Sequence, residues 1–314
     1  MTGATTLIRS PWPFETHLRR TLALAALWLG AGSAQAGALD FCDRPSTLTA
    51  PQQDRLLQFT AVVRHELEAS GQTVALISRS GLDLHRFAIR YSHAGLSLKS
   101  SDNTPWSVRQ LYYACEERRP RLFDQGLAGF LFGTDDPAVG YVSLLLMPSD
   151  AAAPVEQTAL DKPRALRLLA ATYSANAYPQ SLRYQNCNQW VAELLATAWG
   201  DLADGADLRA RAQAWLAAQA YAPPAVEVGS HWVMLAGGFI PWIHFDDHPQ
   251  ADVFALRMHI SLPTAIEAFV SARLPAARHI ELCHNERQML IRRDGPPLAE
   301  GCNPEPGDEI RRFD

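Results

Sequence analysis

Two short segments carry the residue types that thiol catalysis needs. The first is Tyr-Ser-His-Ala-Gly-Leu, at 91–96, and the second is Gln-Asn-Cys-Asn-Gln-Trp, at 185–190. A thiol and an imidazole that are distant in sequence can meet in a folded protein, where the imidazole acts as the base that activates the thiol. The pair predicts Cys187 as a nucleophile and His93 as its general base.

The residues around Cys187 favour the start of a helix. Asn186 is a good N-cap, Gln189 has capping-box spacing, and an amphipathic run follows from Trp190 to Ala198. In the first turn, free N–H groups and the helix dipole favour a thiolate, so we expect a thiol pKa below roughly 8.5. The alternative is a buried structural cysteine that packs the helix start.

His93 lies in a segment with strand alternation, at 92–98. Ala94, Leu96 and Leu98 would occupy one face of the strand, and His93 and Gly95 the other. Gly95 leaves room beside His93 for the close approach of another backbone or of a ligand. The alternative for His93 is a hydrogen-bonded histidine of the surface or the core.

These two segments resemble the circularly permuted branch of the NlpC-type papain-like superfamily, in which a Ser-His-Val-Gly-Ile-like strand precedes an Asn-Cys helix start. Thr73–Ser80 resembles the strand before the histidine strand, and the resemblance covers roughly 72–200. With Trp106-Ser107-Val108 added, the chain more closely resembles an uncharacterised exported bacterial family catalogued as a domain of unknown function. The resemblance implies a papain-like fold and a cysteine–histidine site, but no substrate.

The third catalytic position departs from the family pattern. In the superfamily a His, Glu, Asn or Gln on the next strand orients the imidazole, commonly just before an alanine. Aligning on Ala114 places Tyr113 there, with Gln110 and Glu116 as alternatives. A tyrosine is a weaker orienting group than a carboxylate, so the alignment also allows a slow enzyme or a degenerate binding pocket.

The first 36 residues have the pattern of a secretory signal. Arg19 and Arg20 precede an apolar run at 22–29, and Ala-Gln-Ala ends at Ala36 before Gly37. About ten apolar residues are too few to span a bilayer, which needs roughly 20. We therefore expect a periplasmic or otherwise exported protein with no integral membrane segment after signal cleavage. The net charge of −5 gives no support to nucleic-acid binding.

Export gives meaning to the five cysteines. In an oxidising compartment an odd number leaves at least one unpaired, and Cys187 is the natural candidate. The remaining four allow three connectivities. We favour Cys42 with Cys115 and Cys283 with Cys302, because each pair would tie a terminal segment to the body.

The element pattern predicts an α+β fold, with an antiparallel sheet packed on the helix that carries Cys187. The predicted domains are a signal peptide at 1–36, a permuted papain-like core at 37–222 and a C-terminal extension at 223–314 packed on the same domain. The expected strands are 73–79, 92–98, 106–114, 139–147 and an edge strand at 279–283. The expected helices begin near Ala50, 124, 161, Cys187, 206 and Ser261, the third of them running to 175.

The sequence predicts no cofactor, because it contains no phosphate-binding glycine motif. His244-Phe245-Asp246-Asp247-His248 places imidazoles and carboxylates close together, as a metal site would. The spacing is not that of a helical zinc motif and Pro249 follows at once, so a capped turn or a cleft rim is favoured over a metal.

The predicted function is an exported cysteine-dependent amide hydrolase that acts on a peptide-like or cell-wall substrate. One alternative is a lipid acyltransferase or thioesterase that uses the same residues, favoured by a long apolar cleft to which Phe130, Phe132, Trp232 and Trp242 would contribute. The other is a catalytically degenerate envelope binding protein.

Overall fold

A computed structural model describes residues 48–314, and its largest element is an eight-stranded sheet in which all neighbouring strands are antiparallel. The strands are β1 (Val74–Arg79), β2 (His93–Leu98), β3 (Ser107–Ala114), β4 (Arg119–Gln125), β5 (Gly140–Leu146), β6 (Ala225–Glu227), β7 (Arg257–His259), β8 (Arg278–His284), β9 (Gln288–Arg293) and β10 (Glu309–Arg312). The large sheet has the order β10-β9-β8-β5-β1-β2-β3-β4, and β6 and β7 form a separate pair. The predicted signal peptide lies outside the described residues.

The α-helices of the described part are α1 (Ala50–Ala69), α2 (Leu127–Leu131), α3 (Ser149–Leu160), α4 (Lys162–Arg167), α5 (Cys187–Trp199), α6 (Leu208–Ala218), α7 (His231–Gly237), α8 (Gln250–Phe254) and α9 (Pro263–Arg273). The fold is therefore a mixture of helices with a large antiparallel sheet. The first helix of the described part, α1, begins as predicted, with a capping box between Thr49 and Gln52.

Most of the predicted elements are present, and the errors have physical causes. The sequence does not predict β4, because charged residues and Pro120 are unusual in a strand. Both are tolerated in β4 because it is an edge strand of the sheet. A single helix at 161–175 was predicted, but α4 ends at Arg167 and the longer α3 precedes it. Asp161 separates the two, since its side chain caps the Arg164 N–H. β8 was predicted at an edge but lies between β5 and β9.

The sheet buries apolar residues on both faces. Ala94, Leu96 and Leu98 of β2 pack in the cluster that includes α5, as the alternation predicted. Ala75 and Ile77 of β1 belong to a second cluster with α1 and α2 on the other face. Strands β8 to β10 place residues 278–312 in the same sheet as the strands of the predicted core.

Gly95 of β2 packs closely against β3. A Cβ atom at this position would lie 2.5 Å from Val108 Cγ1 and 3.0 Å from the Arg109 carbonyl oxygen. The space beside His93 that the sequence indicated is thus occupied by the next strand.

We expect Gly95→Ala to lower the free energy of unfolding by about 1–3 kcal/mol, because the added methyl group would overpack the β2–β3 contact. Urea denaturation measures this change. Gly237→Ala is the matched control, since its Cβ would meet its nearest neighbour, Phe245, at an ordinary 3.4 Å. Equal stability of Gly95→Ala and the wild type would contradict the packing described here.

One of the two expected disulfides is present, between Cys283 and Cys302. The pairing proposed for Cys115 involves Cys42, which lies outside the described residues. Cys187 is a free thiol. None of the helices in the described part is long and apolar enough to cross a membrane.

Candidate functional site

Cys187 is the first residue of α5 and is only 5% exposed. The Asn186 side chain caps this helix, accepting a hydrogen bond from the Gln189 N–H at 2.7 Å. The reciprocal half of the expected capping box is not made: Gln189 Oε1, the atom that would accept it, has no hydrogen-bond partner among the described residues, while Nε2 donates to Glu193 Oε1 at 3.0 Å. The N-cap prediction is confirmed, and the local position of Cys187 follows from it.

Buried Glu193 holds the segment that leads to Cys187. Its carboxylate accepts hydrogen bonds from Gln185, Gln189 and Gln213, and it forms an ion pair with Arg209 at 3.0 Å. A buried carboxylate with this many donors keeps its charge satisfied and fixes the groups around it. Gln185 and Gln189 both belong to the motif segment, so the network explains why amides flank Cys187. Sequence analysis did not identify Glu193.

Asn188 fastens the start of α5 to the strand that carries His93. Its Oδ1 accepts a hydrogen bond from the Ala94 N–H at 2.9 Å, and its Nδ2 donates to the Ser92 carbonyl at 3.3 Å. The β2–β3 pairing runs from Leu98 to Leu96 and stops there, which leaves the Ala94 N–H for this bond. The Asn188 side chain therefore hydrogen-bonds to the backbone on both sides of His93 and holds the N-terminus of α5 against β2.

His93 is buried, with 7% of its surface exposed, and Gln110 of β3 orients it. His93 Nε2 lies 2.5 Å from Gln110 Oε1, and Gln110 Nε2 donates to Gln125 Oε1 at 2.7 Å. Because Gln110 uses its Nε2 as a donor to Gln125, its Oε1 must accept the hydrogen bond from His93. The ring proton of His93 is therefore assigned to Nε2. Nδ1, which forms no hydrogen bond with another described residue, is left as the basic nitrogen.

Tyr113, which the alignment on Ala114 placed against His93, has other neighbours. Strand alternation puts it on the face of β3 opposite Gln110. Its ring packs on Tyr173 and Trp242, at centroid distances of 5.4 and 5.5 Å. The structure thus gives His93 a different hydrogen-bond partner, Gln110, which was one of the two alternatives. The second alternative, Glu116, lies in the exposed turn after β3.

The rest of the His93 environment is aromatic. The ring of Tyr112 meets the imidazole edge-on at 5.6 Å, and Phe130 lies at 5.9 Å. Near the sulfur, burial raises the pKa of Tyr173 well above its usual value, and the adjacent Cys187 thiol adds to that rise. Aromatic side chains therefore shield both members of the cysteine–histidine pair from water.

Burial reverses the expected activation of the thiol. It raises the pKa of Cys187 to about 11, and the N–H of Asn188, the charge of Arg79 and the N–H of Ala94 offset only part of the rise. Desolvation also lowers the pKa of His93 to about 3, with a further contribution from Arg79. The prediction of a lowered thiol pKa is corrected: the helix start favours the thiolate, but the loss of water outweighs it. At neutral pH the pair is a thiol and a neutral imidazole.

We expect Cys187 of the folded protein to react slowly with iodoacetamide at pH 7, where roughly one thiol in 10⁴ is ionised if its pKa is about 11. Because a raised thiol pKa keeps the proton bound until high pH, the rate should rise about tenfold per pH unit up to pH 10. Mass spectrometry of the Cys187 peptide measures the rate, with urea-unfolded protein as the control. A plateau beginning below pH 7 would instead reveal a preformed ion pair.

The segment from His244 to His248 forms hydrogen bonds with the loop that contains Asn176 and Tyr178. His248 Nε2 lies 2.6 Å from the Asn176 carbonyl oxygen, and Asp247 accepts a hydrogen bond from the Tyr178 N–H at 2.9 Å. The ring of His244 stacks on Tyr184 at 4.4 Å. Within residues 48–314 no group of three or more potential metal ligands is present. The contacts of this segment are those of a structural turn.

Comparison with known proteins identifies the family. The family model described as "Uncharacterized protein conserved in bacteria (DUF2145)" matches residues 66–270, which include the strand of His93 and the helix of Cys187. The chain therefore belongs to this bacterial family. No curated protein and no solved structure showed a significant match.

Proposed function

We propose that the protein is an exported cysteine-dependent amide hydrolase with a permuted papain-like core. The observation that carries the proposal is the joining of the Cys187 helix to the His93 strand by Asn188, with Gln110 holding the imidazole so that Nδ1 is its basic nitrogen. The order of a histidine strand before a cysteine helix also fits the permuted branch. The disulfide between Cys283 and Cys302 supports export, because such bonds persist in oxidising compartments.

The raised thiol pKa favours a general-base route rather than a resting ion pair. Cys187 Sγ attacks the carbonyl carbon of an amide while the thiol proton passes to His93 Nδ1. The carbonyl electron pair moves to the oxygen, which the backbone N–H of Cys187 at the helix start stabilises. The amide C–N bond then breaks, and His93 returns the proton to the leaving amine. Water, activated by His93, cleaves the resulting thioester, which releases the acid and restores the thiol.

A peptide of the cell wall is the substrate class that we propose, because export brings the protein to that polymer. The test is to incubate the protein with soluble peptidoglycan fragments and to follow the products by liquid chromatography and mass spectrometry. Amide hydrolysis would give an amine and an acid whose masses sum to that of the substrate plus one water. Intact fragments together with turnover of acyl thioesters or phospholipids would favour the lipid alternative.

One observation keeps the acyltransferase or thioesterase alternative in view. Trp232 and Phe239 are 79% and 80% exposed, and the stretch 228–243 contains no Asp, Glu, Lys or Arg. Such a surface suits contact with an acyl chain. The proposed cleft residues do not share one environment, however, because Phe130 is buried beside His93 whereas Trp232 is open to solvent. The amide hydrolase is therefore the favoured function.

A further inference from the structure

Arg79, the last residue of β1, lies beside the candidate site and is not one of the residues that the sequence predicted for it. The β1–β2 register pairs it directly with His93, so both side chains project from the same face of the sheet. Arg79 is only 6% exposed. Its Nη1 donates to the carbonyls of Ser80 and Gly133, and the guanidinium lies over the ring of Phe130, 5.1 Å from its centroid.

The partners of Arg79 set it apart from the other buried arginines of the described part. Arg109, Arg209 and Arg292 each form an ion pair with a carboxylate, those of Asp124, Glu193 and Asp308 respectively. Arg79 forms none with a described residue, and its buried Nε has no hydrogen-bond partner among them. A buried guanidinium stays charged, and burial without an opposite charge is costly. The position therefore lacks a directly paired carboxylate, and Asp135 acts on it only through space.

Two glycines accommodate the guanidinium. A Cβ atom at Gly81 would lie 2.5 Å from Arg79 Nη1, and one at Gly133 would lie 2.5 Å from Nη2. The loops after β1 and α2 thus enclose this group, and any side chain larger than hydrogen at either position would displace it.

We infer that Arg79 is the resident positive charge of the site and stabilises the negative charge that Cys187 acquires when its thiol loses the proton. This inference rests on the proposed function and deepens it. His93 of β2, Tyr112 of β3, Cys187 of α5 and Asp135 of the loop after α2 are the titratable groups that interact with Arg79. Among them the Cys187 sulfur becomes anionic during the reaction.

The charge of Arg79 acts in the same direction on both members of the pair. It lowers the pKa of Cys187 and also lowers that of His93. The thiolate is therefore favoured while the imidazolium is disfavoured, which helps His93 to hand its proton on to the leaving amine. Arg79 does not itself react; its positive charge acts on the reaction through the thiolate of Cys187.

The test is the pH profile of Cys187 alkylation in Arg79→Gln, together with titration of the His93 imidazole by NMR. We expect alkylation at a given pH to fall at least tenfold and the pKa of His93 to rise, whereas Arg79→Lys should restore most of the reactivity. Arg109→Gln is the matched control, since it removes another buried arginine from the opposite face of the sheet. Its alkylation profile should equal that of the wild type.

An unchanged Cys187 profile in folded Arg79→Gln would overturn the inference. Loss of hydrolysis with unchanged thiol reactivity would also overturn it, because the guanidinium would then serve the substrate. If Arg79→Gln does not fold, Gly133→Ala provides the same test, since its methyl group displaces Nη2 while retaining the charge. It should slow alkylation, and a wild-type profile would count against the role. The alkylation and NMR readouts need no substrate, so they are independent of whether an amide is hydrolysed.

Discussion

Cys187→Ala should abolish hydrolysis of the substrate, with a fall in kcat of at least about 10⁴-fold, because no other described nucleophile occupies the start of α5. Cys187→Ser should be similarly impaired, since a hydroxyl at this position is a poorer nucleophile at neutral pH. The measurement is the initial rate on a cell-wall peptide at saturating substrate.

Thr197→Ala is the control for this loss, because it removes another buried polar group from the same helix without touching the site. It should retain activity near the wild-type level. Thermal denaturation of all three variants would show that the folded state persists. If Cys187→Ala hydrolyses the peptide as the wild type does, the thiol mechanism fails.

The second large effect is expected at Gln110. Gln110→Leu removes the acceptor of the His93 Nε2 proton, which frees the ring to take another tautomer or orientation. Loss of this hydrogen bond should cost about 1–3 kcal/mol of transition-state stabilisation, or roughly a ten- to a hundredfold decrease in kcat. Gln110→Glu should restore an acceptor and part of the rate.

Tyr113→Phe is the matched comparison for Gln110→Leu. If Tyr113 oriented His93, as the alignment on Ala114 implied, this change would also cost about 1–3 kcal/mol, but the structure packs the Tyr113 ring on Tyr173 and Trp242. Since phenylalanine keeps that packing, we now expect an effect of less than about threefold. The reverse result, with Tyr113→Phe damaging and Gln110→Leu silent, would return the orienting role to Tyr113.

Local sequence signals predicted the elements that hold the site. The Asn186 cap located the start of α5, and alternation along 92–98 located β2 with its correct apolar face. These signals are short-range, since a cap or an alternating pattern is complete within a few residues. They were sufficient to select Cys187 and His93 as candidates.

Features that depend on contacts between residues distant in sequence could not be predicted from local patterns. The hydrogen-bond partner of His93 depends on the β2–β3 register. An alignment on Ala114 alone contains no information about that register. The raised pKa of Cys187 results from the burial of its thiol in the folded protein. Arg79 was just one residue of a predicted strand until its pairing with His93 and its lack of a carboxylate partner were known.

Covalent trapping tests the central claim most directly, because it asks which atom attacks the carbonyl. Wild-type protein would be incubated with a cell-wall peptide analogue bearing an electrophilic carbonyl at the scissile position, then digested and mapped by mass spectrometry. The account predicts one adduct on Cys187 that is lost in Cys187→Ala and strongly reduced in His93→Ala. Turnover of the parent peptide with an adduct on another residue would contradict it.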